Sequence, residues 1–414
     1  KILPAQPPSL LTRWNQEELD RLQDDYIINE VFKPEFIKQE TIYAQVLKAG
    51  KDHTLEDKHL PTSDEFQWAM DIIRSRGFLI PGTDGSVGER EDVGITGAGI
   101  RAMVPFLDML NSDPGKREVV LSTSSTEKGL VLQLRAVGNL PPQVEVFNNY
   151  GEENNDFYIL NYGFVPERNP YDRVRTPGLF SKEDVKISGH EELGQERINL
   201  MSTIVESNGG SFDLYERNIQ NDLVKGLRLL YATEEEINTP EGQKWLDIFS
   251  SDSTDSPISS NNEKLVAQAL ERRCDLLLSG FPTSMDEDYE ALRTLTLEEQ
   301  KAGGHCTLEL EKEMLAVTFR LKRKEILQKL KGRLSDYTFQ ANFRADSDSG
   351  GKQKILTINT FLSQKYEEDE MQSRQGAAGS LPFSPQFNPR QAYYSNDDDI
   401  FIDDDDEDDD FLWG

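Results

Sequence analysis

The spacing of apolar residues changes near residue 190, and this change limits what the chain can fold into. Before it, short apolar runs are separated by glycine and proline turns, a pattern typical of strands. After it, apolar residues recur every three or four positions over long stretches, which is typical of helices. With 414 residues, 36% of them hydrophobic, the chain is long enough for two domains. We therefore predict an α+β protein with a mostly-β domain over residues 1–180 and an all-helical domain over residues 181–372.

Two helical segments are expected inside the first domain. Residues 14–32 and residues 64–78 both have the composition of amphipathic helices, and the second ends at Gly77. One face of this second helix is expected to carry the apolar residues Phe66, Ala69, Ile72 and Ile73. The mostly-β domain should therefore contain a helical insert.

Runs of strand character follow a glycine-rich connector at residues 82–99. They are "MVPFLDML" (103–110), "REVVLS" (117–122), "LVLQLRAV" (130–137) and "QVEVFNN" (143–149). The sequences Asp-Pro-Gly, Glu-Lys-Gly and Asn-Leu-Pro-Pro separate them, and these residue types favour turns. The pattern predicts three or four short strands.

Five long helical patterns follow residue 190. They are "LGQERINLMSTIVESN" (193–208), "LYERNIQNDLVKGLRLLYA" (214–232), "NEKLVAQALERRCDLLLSG" (262–280), "DYEALRTL" (288–295) and "LELEKEMLAVTFRLKRKEILQKLKGRL" (308–334). Short polar loops join them, as in an all-helical domain. Beyond about residue 372 the chain is rich in serine, proline, glycine and aspartate and lacks periodic apolar residues. We predict a disordered acidic tail over residues 373–414.

The chain is strongly acidic, with a formal net charge of −30. Eleven acids lie in "DDDIFIDDDDEDDD" (397–410), which leaves about −19 for the remainder. Such a surface favours basic protein partners and argues against nucleic acid. The one basic stretch, "FRLKRKEILQKLKGRL" (319–334), is interrupted by Glu325 and is interpreted as a packed helix with a solvated face. We hypothesise that the tail recruits lysine-rich substrates; unchanged substrate affinity at low salt after deletion of residues 396–414 would refute this.

Only two cysteines are present, Cys274 and Cys306, so a disulfide framework is excluded and a reducing compartment is favoured. Neither they nor the four histidines have the spacing of a zinc site, and we expect no metal. No apolar stretch approaches the roughly 20 residues that cross a bilayer. We expect a protein of the cytoplasm or nucleus that binds neither membrane nor nucleic acid.

Gly97-Ala98-Gly99 in "GITGAGIRAMVPF" could be mistaken for a dinucleotide-binding loop. That loop follows a buried strand and opens a helix. Here the glycines follow an acidic loop and precede a β-like run that contains Pro105. We interpret them as a turn.

Asn111 ends an apolar run in "VPFLDMLNSDPG" (104–115), just before an Asp-Pro-Gly turn. It could cap a strand or a short helix. It could equally be a buried amide that binds a polar ligand. Residue type and spacing leave both interpretations open.

Two Tyr-Gly pairs lie twelve residues apart in "NNYGEENNDFYILNYGF" (148–164). The stretch reads as a strand end, a tight turn and a short helix, a connection that needs one glycine and no extra aromatic residues. The plain interpretation of Tyr162 is a core aromatic residue that closes a helix at Gly163.

The order of four motifs resembles the SET-domain lysine methyltransferases of the Rubisco large-subunit methyltransferase (LSMT) type. Their Trp-Ala-x-x-x-Val-x-Ser-Arg helix is matched by Trp68, Ala69, Ser75 and Arg76, with Ile73 in place of valine. Their cofactor motif Asp-Met-x-Asn-His is matched by Asp108, Met109 and Asn111, with Ser112 in place of histidine. Their two Tyr-Gly motifs are matched by Val146, Tyr150 and Gly151, and by Asn155, Tyr162, Gly163 and Phe164.

The resemblance covers residues 1 to about 345 and extends to the family's helical substrate-binding domain. The family begins its SET domain with a strand pair whose Gly-x-Gly turn holds the methionine part of S-adenosylmethionine (AdoMet). That segment would precede residue 1. We therefore expect an incomplete SET domain, with truncation of the sequence favoured over loss of part of the cofactor site.

The resemblance implies roles for the matched residues. Tyr162 would be the catalytic tyrosine at the methyl-transfer pore, Tyr150 would line the lysine end of the channel, and Phe164 would pack behind them. Asn111 would hydrogen-bond the amino-acid part of AdoMet, and Ser112 would contact adenine mainly through its backbone.

Four further residues belong to the same implied cofactor site. Asp108 lies in the cofactor motif. Ser75 and Arg76 would lie at the rim of the cofactor or lysine site, with a structural salt bridge as the alternative for Arg76. Asn155 would touch the cofactor or fix the second Tyr-Gly turn, and a helix N-cap is its plain interpretation.

The implied function is AdoMet-dependent N-methylation of a lysine in a protein substrate by a monomeric enzyme. A ribosomal protein, a Rubisco-like protein and a histone remain open as substrates, and the resemblance adds the plastid as a compartment. One alternative is a catalytically inactive SET-like scaffold, which Ser112 and the absent Gly-x-Gly segment keep open. The other is a protein-histidine methyltransferase, against which Tyr162 in the Tyr-Gly-Phe pattern favours lysine.

Overall fold

The computed structural model describes most of the chain up to residue 377. The described residues are 9–53, 55–81, 99–116, 118–126, 129–189, 195–240, 242–243, 246, 256–304, 306–345 and 355–377. Most of the predicted connector, with Gly97 and Ala98, lies outside them, as does the acidic tail from residue 378 onward.

The predicted first helix is interrupted. A 3-10 turn (Leu11–Arg13) precedes helix α1 (Gln16–Asp20), and a π-helix (Ile27–Phe32) then runs directly into α2 (Lys33–Asp52). The break lies at Gln23, whose φ of 53° no helix accommodates. Its side-chain carbonyl accepts a hydrogen bond from the Thr283 hydroxyl at 2.9 Å. A contact 260 residues away thus accompanies a break that the local pattern does not signal.

The predicted second helix is confirmed as α3 (Ser63–Arg76), which begins with a capping box between Thr62 and Glu65. Its predicted apolar face is wrong in one residue, because Ile72 is buried at 3% exposure and Ile73 is 40% exposed. Neighbouring residues on a helix point about 100° apart, so only one of the two isoleucines can face the core. The helix leads straight into the first strand.

Two antiparallel strand pairs lie in the described part of residues 9–162, where helices occupy more residues than strands, so the prediction of a mostly-β first domain is wrong. Strand β1 (Gly77–Pro81) pairs with β2 (Gly99–Met103), and β3 (Val119–Thr126) pairs with β4 (Gly129–Ala136). The β3–β4 pair confirms the strands predicted at 117–122 and 130–137.

The other two strand predictions are wrong. Within residues 103–110, β2 ends at Met103 and a 3-10 turn (Leu107–Met109) follows. Pro105 cannot donate to a ladder and Phe106 has a φ of 69°, so the strand cannot continue. Within residues 143–149, only Asn148 makes a bridge, and it does so with Ser112.

The second half is helical, as predicted, apart from one strand. Helix α4 (Asn155–Tyr162) and strand β5 (Arg173–Pro177) lead into it, and its helices are α5 (Lys182–Ser188), α6 (Gln195–Ser207), α7 (Asn221–Tyr231), α8 (Glu234–Ile237), α9 (Ser260–Ser279), α10 (Met285–Lys301), α11 (Leu308–Ala345) and α12 (Ile358–Ala377). The five predicted helices correspond to α6, α7, α9, α10 and α11.

The prediction of an all-helical segment over residues 181–372 is wrong at β6 (Ser211–Tyr215), which pairs antiparallel with β5. Phe212 and Leu214 are buried and alternate with half-buried neighbours, which is a strand pattern too short to stand out beside the long helical ones. The tail boundary is also corrected, because α12 continues to Ala377.

The described residues form two hydrophobic cores. The N-terminal core consists of Leu11, Trp14, Leu19, Leu22, Ile27, Ile28, Phe32, Ile159, Leu160, Leu315, Ala316 and Phe319. The C-terminal core is larger, joins β5 and β6 to the surrounding helices, and includes Phe212, Leu227, Leu270, Leu327, Leu330 and Phe361. Helix α11 contributes to both, because Phe319 lies in the first and Leu327 in the second.

The basic stretch of α11 is packed, as predicted, but its charges are used inside the molecule. Arg320 and Lys324 are buried and both pair with Asp288, at 2.9 Å and 2.5 Å. Arg333 is buried and pairs with Glu216 and Asp369. This part of the helix therefore presents little free positive charge.

None of the helices in the described part of the chain is both long and apolar enough to cross a lipid bilayer. Within the same residues, no three histidine, cysteine, aspartate or glutamate side chains are arranged to hold a metal ion.

Candidate functional site

Arg76 and Asp108 form a buried ion pair at the junction of α3 and the loop after β2. Arg76 Nη1 lies 2.8 Å from Asp108 Oδ2, and both side chains are at most 7% exposed. The other carboxylate oxygen, Asp108 Oδ1, is buried and has no hydrogen-bond partner among the described residues. The salt bridge interpretation of Arg76 is therefore confirmed, and the pair holds the predicted cofactor motif against the end of α3.

Ser75 lies beside this pair but its hydroxyl is engaged within its own helix. Its Oγ donates to the carbonyl oxygen of Asp71 at 2.8 Å, and the residue is 3% exposed. Asp71 in turn accepts from Thr12 at 3.1 Å and from Arg13 at 2.5 Å. Ser75 thus belongs to the contact between α3 and the N-terminal segment.

Asn111 is half-buried and its side chain faces a carboxylate. Its Nδ2 donates to Glu145 Oε1 at 2.5 Å, and its backbone carbonyl accepts from the Asn148 amide at 2.8 Å. Of the two interpretations left open for Asn111, the plain cap is not what the structure shows, because the side chain reaches a residue 34 positions away. Asn111 therefore joins two distant segments.

The segments around residues 112 and 148 run parallel and bridge to each other. Ser112 and Asn148 form a parallel bridge, and the Asp113 amide donates to the Asn148 carbonyl at 3.2 Å. This crossing brings the predicted cofactor motif directly beside the first Tyr-Gly pair.

Ser112 fixes the first Tyr-Gly turn through its hydroxyl. The Tyr150 amide donates to Ser112 Oγ at 3.1 Å. The Tyr158 phenol donates to the Gly151 carbonyl at 3.2 Å and so holds the other side of the turn. Burial raises the pKa of Tyr158 to about 12, so the phenol that donates this bond is protonated at neutral pH.

The rings of Tyr150 and Tyr162 pack against each other in a tilted arrangement beside this turn. Their ring centroids are 4.5 Å apart at 40°, and Tyr158 and Phe164 lie 5.9 Å and 6.3 Å from the Tyr162 ring. The Tyr150 hydroxyl donates to the Leu110 carbonyl at 2.6 Å, which holds its ring against the cofactor motif. The structure therefore brings Asn111, Ser112 and the two predicted catalytic tyrosines into one place.

Asn155 stands apart from that cluster. The N-cap of α4 is Asn154, whose side chain accepts from the Phe157 amide, so the plain interpretation of Asn155 as the cap is wrong by one residue. Asn155 is 1% exposed; its amide and its side chain both donate to Asp172, at 3.0 Å and 2.7 Å, and its side-chain oxygen accepts from Asn169 at 2.8 Å. These contacts hold the first turn of α4, and the roles that the resemblance implies for Asn155, at the cofactor or at the second Tyr-Gly turn, stay predictions.

Sequence reasoning missed three residues of this region. Glu145, Tyr158 and Asp172 contact predicted site residues, yet none belongs to a matched motif. Tyr158 could have been found, since it is four residues before Tyr162 and so lies on the same helix face. Glu145 and Asp172 reach their partners only through the tertiary fold.

Comparisons with known proteins agree with this picture. Residues 189–327 match the family model described as Rubisco LSMT substrate-binding. The actin-histidine N-methyltransferases of Gallus gallus and Homo sapiens are each 26% identical to this chain over 323 residues, which is 76% of this chain and 49% of theirs. The chain thus spans about half the length of the curated relatives it matches.

Among solved structures, the SET domain of LSMT bound to MeLysine and AdoHcy is similar to this chain, with a TM-score of 0.50 and 21% identity. The likeness covers 83% of this chain and 71% of that one. The resemblance predicted from the motifs is therefore confirmed for the fold and for the substrate-binding domain.

Proposed function

We propose that this chain is an AdoMet-dependent protein methyltransferase that acts on a side-chain nitrogen, with lysine as the acceptor. The observation that carries the proposal is the crossing of residues 111–113 with residue 148. It brings Asn111 and Ser112, which match a cofactor motif, against the ring pair of Tyr150 and Tyr162. The fold, which is that of a SET domain, supports the same conclusion.

Residues around the crossing suit the amino-acid part of AdoMet. That part carries a cation and an anion, and needs both acceptors and donors. Asp108 Oδ1 is a buried acceptor without a partner among the described residues, and the Asn111 amide is a donor that meets only an exposed glutamate in the contacts described above. Bound there, the cofactor supplies an electrophilic methyl group on a positively charged sulfur.

The aromatic cluster suits the acceptor. A lysine amine has a pKa near 10.4 in water and attacks only after losing its proton. An apolar channel lowers that pKa by desolvation, and aromatic faces hold the side chain in line while its proton leaves to solvent. Tyr150 and Tyr162 wall such a channel, with the Tyr150 hydroxyl committed to Leu110.

The test of the proposal is binding of AdoHcy to the full-length protein, measured by calorimetry. Asn111→Ala should weaken binding by about tenfold, because a charge-assisted hydrogen bond to the cofactor is lost. Asn29→Ala is the matched control: Asn29 is an exposed amide that accepts a hydrogen bond from Lys33, and its loss should leave binding unchanged. Binding that survives Asn111→Ala at full strength would remove the assigned cofactor site.

Histidine is the second candidate acceptor, because the curated relatives are actin-histidine N-methyltransferases. An imidazole is largely neutral at pH 7 and needs less help to lose a proton than an amine does. Protein substrates should be incubated with isotope-labelled AdoMet, and fragment mass spectrometry should locate the label. Label on lysine supports the first acceptor, and label on histidine replaces it.

A scaffold without activity remains the competing function. It predicts that the wild-type full-length protein binds no AdoHcy and transfers no label to any substrate. Retained binding of a protein partner by the helical half, together with that result, would favour the scaffold.

A further inference from the structure

Arg323 is a buried cation that none of the predicted site motifs includes. It lies near the middle of α11, its side chain is 2% exposed, and it faces three carboxylates from three separate segments. It contacts Asp156 directly, reaches Asp172 at 3.1 Å through Nη1, and lies 3.5 Å from Asp24 through Nε. A guanidinium so enclosed joins all three segments to α11.

Two of these carboxylates lie at the N-terminal end of α4, the helix that ends at Tyr162. Asp156 lies in its first turn. Asp172 receives both the backbone amide and the side-chain amide of Asn155, the first residue of the same helix. The N-terminal turn of α4 is therefore held by a cation that comes from the other half of the molecule.

The other end of α4 carries the aromatic cluster. The helix has only eight residues, so a shift at its base reaches Tyr162 within about 12 Å. Its buried face, Ile159 and Leu160, packs with Phe319, one turn before Arg323 on α11. Packing and charge thus hold α4 to the same stretch of α11.

Without the positive charge of Arg323, the three carboxylates around it would lose the cation that offsets their negative charge. Burial raises the pKa of Asp156 to about 6, with Arg323 and Arg173 lowering it and the carboxylates of Asp24 and Asp172 raising it further. Burial alone would lower the pKa of Arg323, but the three acids outweigh this and raise it. Arg323 therefore stays charged at every working pH.

We infer that Arg323 is a positioning residue of the methyl-transfer site, through which helix α11 of the substrate-binding half sets the position of α4 and of Tyr162. The inference rests on the proposed function for its effect on turnover. Its structural part stands separately, because it concerns the order of α4. Arg323 touches neither substrate nor cofactor in this assignment.

The test uses Arg323→Met and the milder Arg323→Lys in the full-length protein. Arg333→Met is the matched control, because Arg333 lies ten residues further on the same helix, is buried, and pairs with Glu216 and Asp369 away from α4. Melting temperature, hydrogen exchange of the amides of residues 157–163, and kcat with KM are measured for all three. Exchange is read below the melting temperature of the least stable variant.

For Arg323→Met we expect amide exchange in α4 to accelerate by about tenfold, and kcat to fall by about tenfold as Tyr162 loses its position. Arg323→Lys should show the same changes to a smaller extent, because one ammonium cannot reproduce the guanidinium fork. Arg333→Met should lower the melting temperature and leave both quantities within about twofold.

Equal effects of the Arg323 and Arg333 variants on α4 exchange and kcat, at equal loss of melting temperature, would overturn the inference. So would unchanged α4 exchange in both Arg323 variants. If Arg323→Met does not fold, Arg323→Lys decides the result. If the wild-type protein transfers no methyl group, the proposed function fails, and hydrogen exchange still decides the role of Arg323.

Discussion

The two Tyr-Gly turns of residues 148–164 share the Tyr-Gly pair but are held in place by different interactions. The first is held by hydrogen bonds: Tyr150 is fixed by its amide to Ser112 and by its hydroxyl to Leu110. The second is held by packing: Tyr162 closes α4 among four other aromatic rings, and Gly163 ends the helix with a φ of 70°. The same motif thus lies in a hydrogen-bonded turn in one place and at the end of a packed helix in the other.

The glycines differ in the same way. Gly163 occupies the left-handed region common at helix ends, and its amide donates to the Tyr158 carbonyl at 3.1 Å. Gly151 has a φ of 128°, which no other residue adopts readily, and its carbonyl accepts the Tyr158 phenol. A side chain between the two turns, Tyr158, therefore ties one to the other.

The largest expected difference between the turns is in catalysis. Tyr162→Phe should lower kcat by about 10²-fold if the hydroxyl acts at the reacting atoms, with AdoHcy affinity nearly unchanged. Tyr150→Phe should lower kcat much less and destabilise the fold by about 1 kcal/mol, because its hydroxyl serves the Leu110 carbonyl. Steady-state kinetics and thermal unfolding of both variants measure this. Equal kcat in Tyr162→Phe and wild type would remove the catalytic role of Tyr162.

The second difference is in pH dependence, since a buried acid lies at the base of the second turn's helix. The pKa of Asp156 is raised by burial to about 6 in the folded protein, above its unfolded value. Its contribution to stability is therefore fully present below the unfolded pKa and is lost as pH rises through about 6. Relative to the wild type, Asp156→Asn should gain about 1.4 kcal/mol of unfolding free energy between pH 5 and pH 8.

Thermal unfolding across that pH range measures this gain. The control is Asp184→Asn, because the pKa of Asp184 is shifted in the opposite direction. Burial works to raise the pKa of Asp184, but hydrogen bonds from Ser181, Arg272 and Tyr231 outweigh it and lower the pKa. The contribution of Asp184 is lost only as pH falls below this range, so its variant should show no comparable gain. A constant difference between Asp156→Asn and wild type would contradict the raised pKa.

The smallest expected effect concerns the hydroxyl that holds the first turn. Ser112→Ala removes the hydrogen bond that the Tyr150 amide donates to the Ser112 hydroxyl, and should cost about 1 kcal/mol of unfolding free energy. AdoHcy affinity should change little if Ser112 contacts the cofactor through its backbone. Ser122→Ala, whose hydroxyl makes one long 3.5 Å contact, is the control. Equal stability of the two variants would show that Ser112 does not hold the turn.

Local patterns in the sequence predicted the elements that depend on local causes. Helix α3 follows from its capping box and period, and the β3–β4 pair follows from two apolar runs around a glycine turn. Strand β6 was missed because five residues of alternation adjoin a long helical pattern. Asn154 and Asn155 cannot be told apart as caps from spacing alone, since a helix start is uncertain by more than one residue.

The motif residues of the site were predicted, whereas the contacts that hold them in place were not. Tyr150, Tyr162, Asn111 and Ser112 come together as the resemblance implies. The role of Ser112 in place of histidine could not be predicted, because its partners depend on two distant segments running parallel. Arg323 was interpreted only as part of a packed helix with a solvated face, because its acids lie 151 to 299 positions away in the sequence.

Helix α11 has a consequence for where this molecule can be cut. The segment recognised as the substrate-binding domain ends at residue 327, whereas the helix continues to Ala345. Leu330, Leu334 and Tyr337, beyond that point, complete the same core, and Phe319 before it completes the other. A fragment ending at residue 327 would lack Leu330, Leu334 and Tyr337 and would expose the core side chains that pack with them. The unit that folds is therefore larger than the unit that sequence comparison delimits.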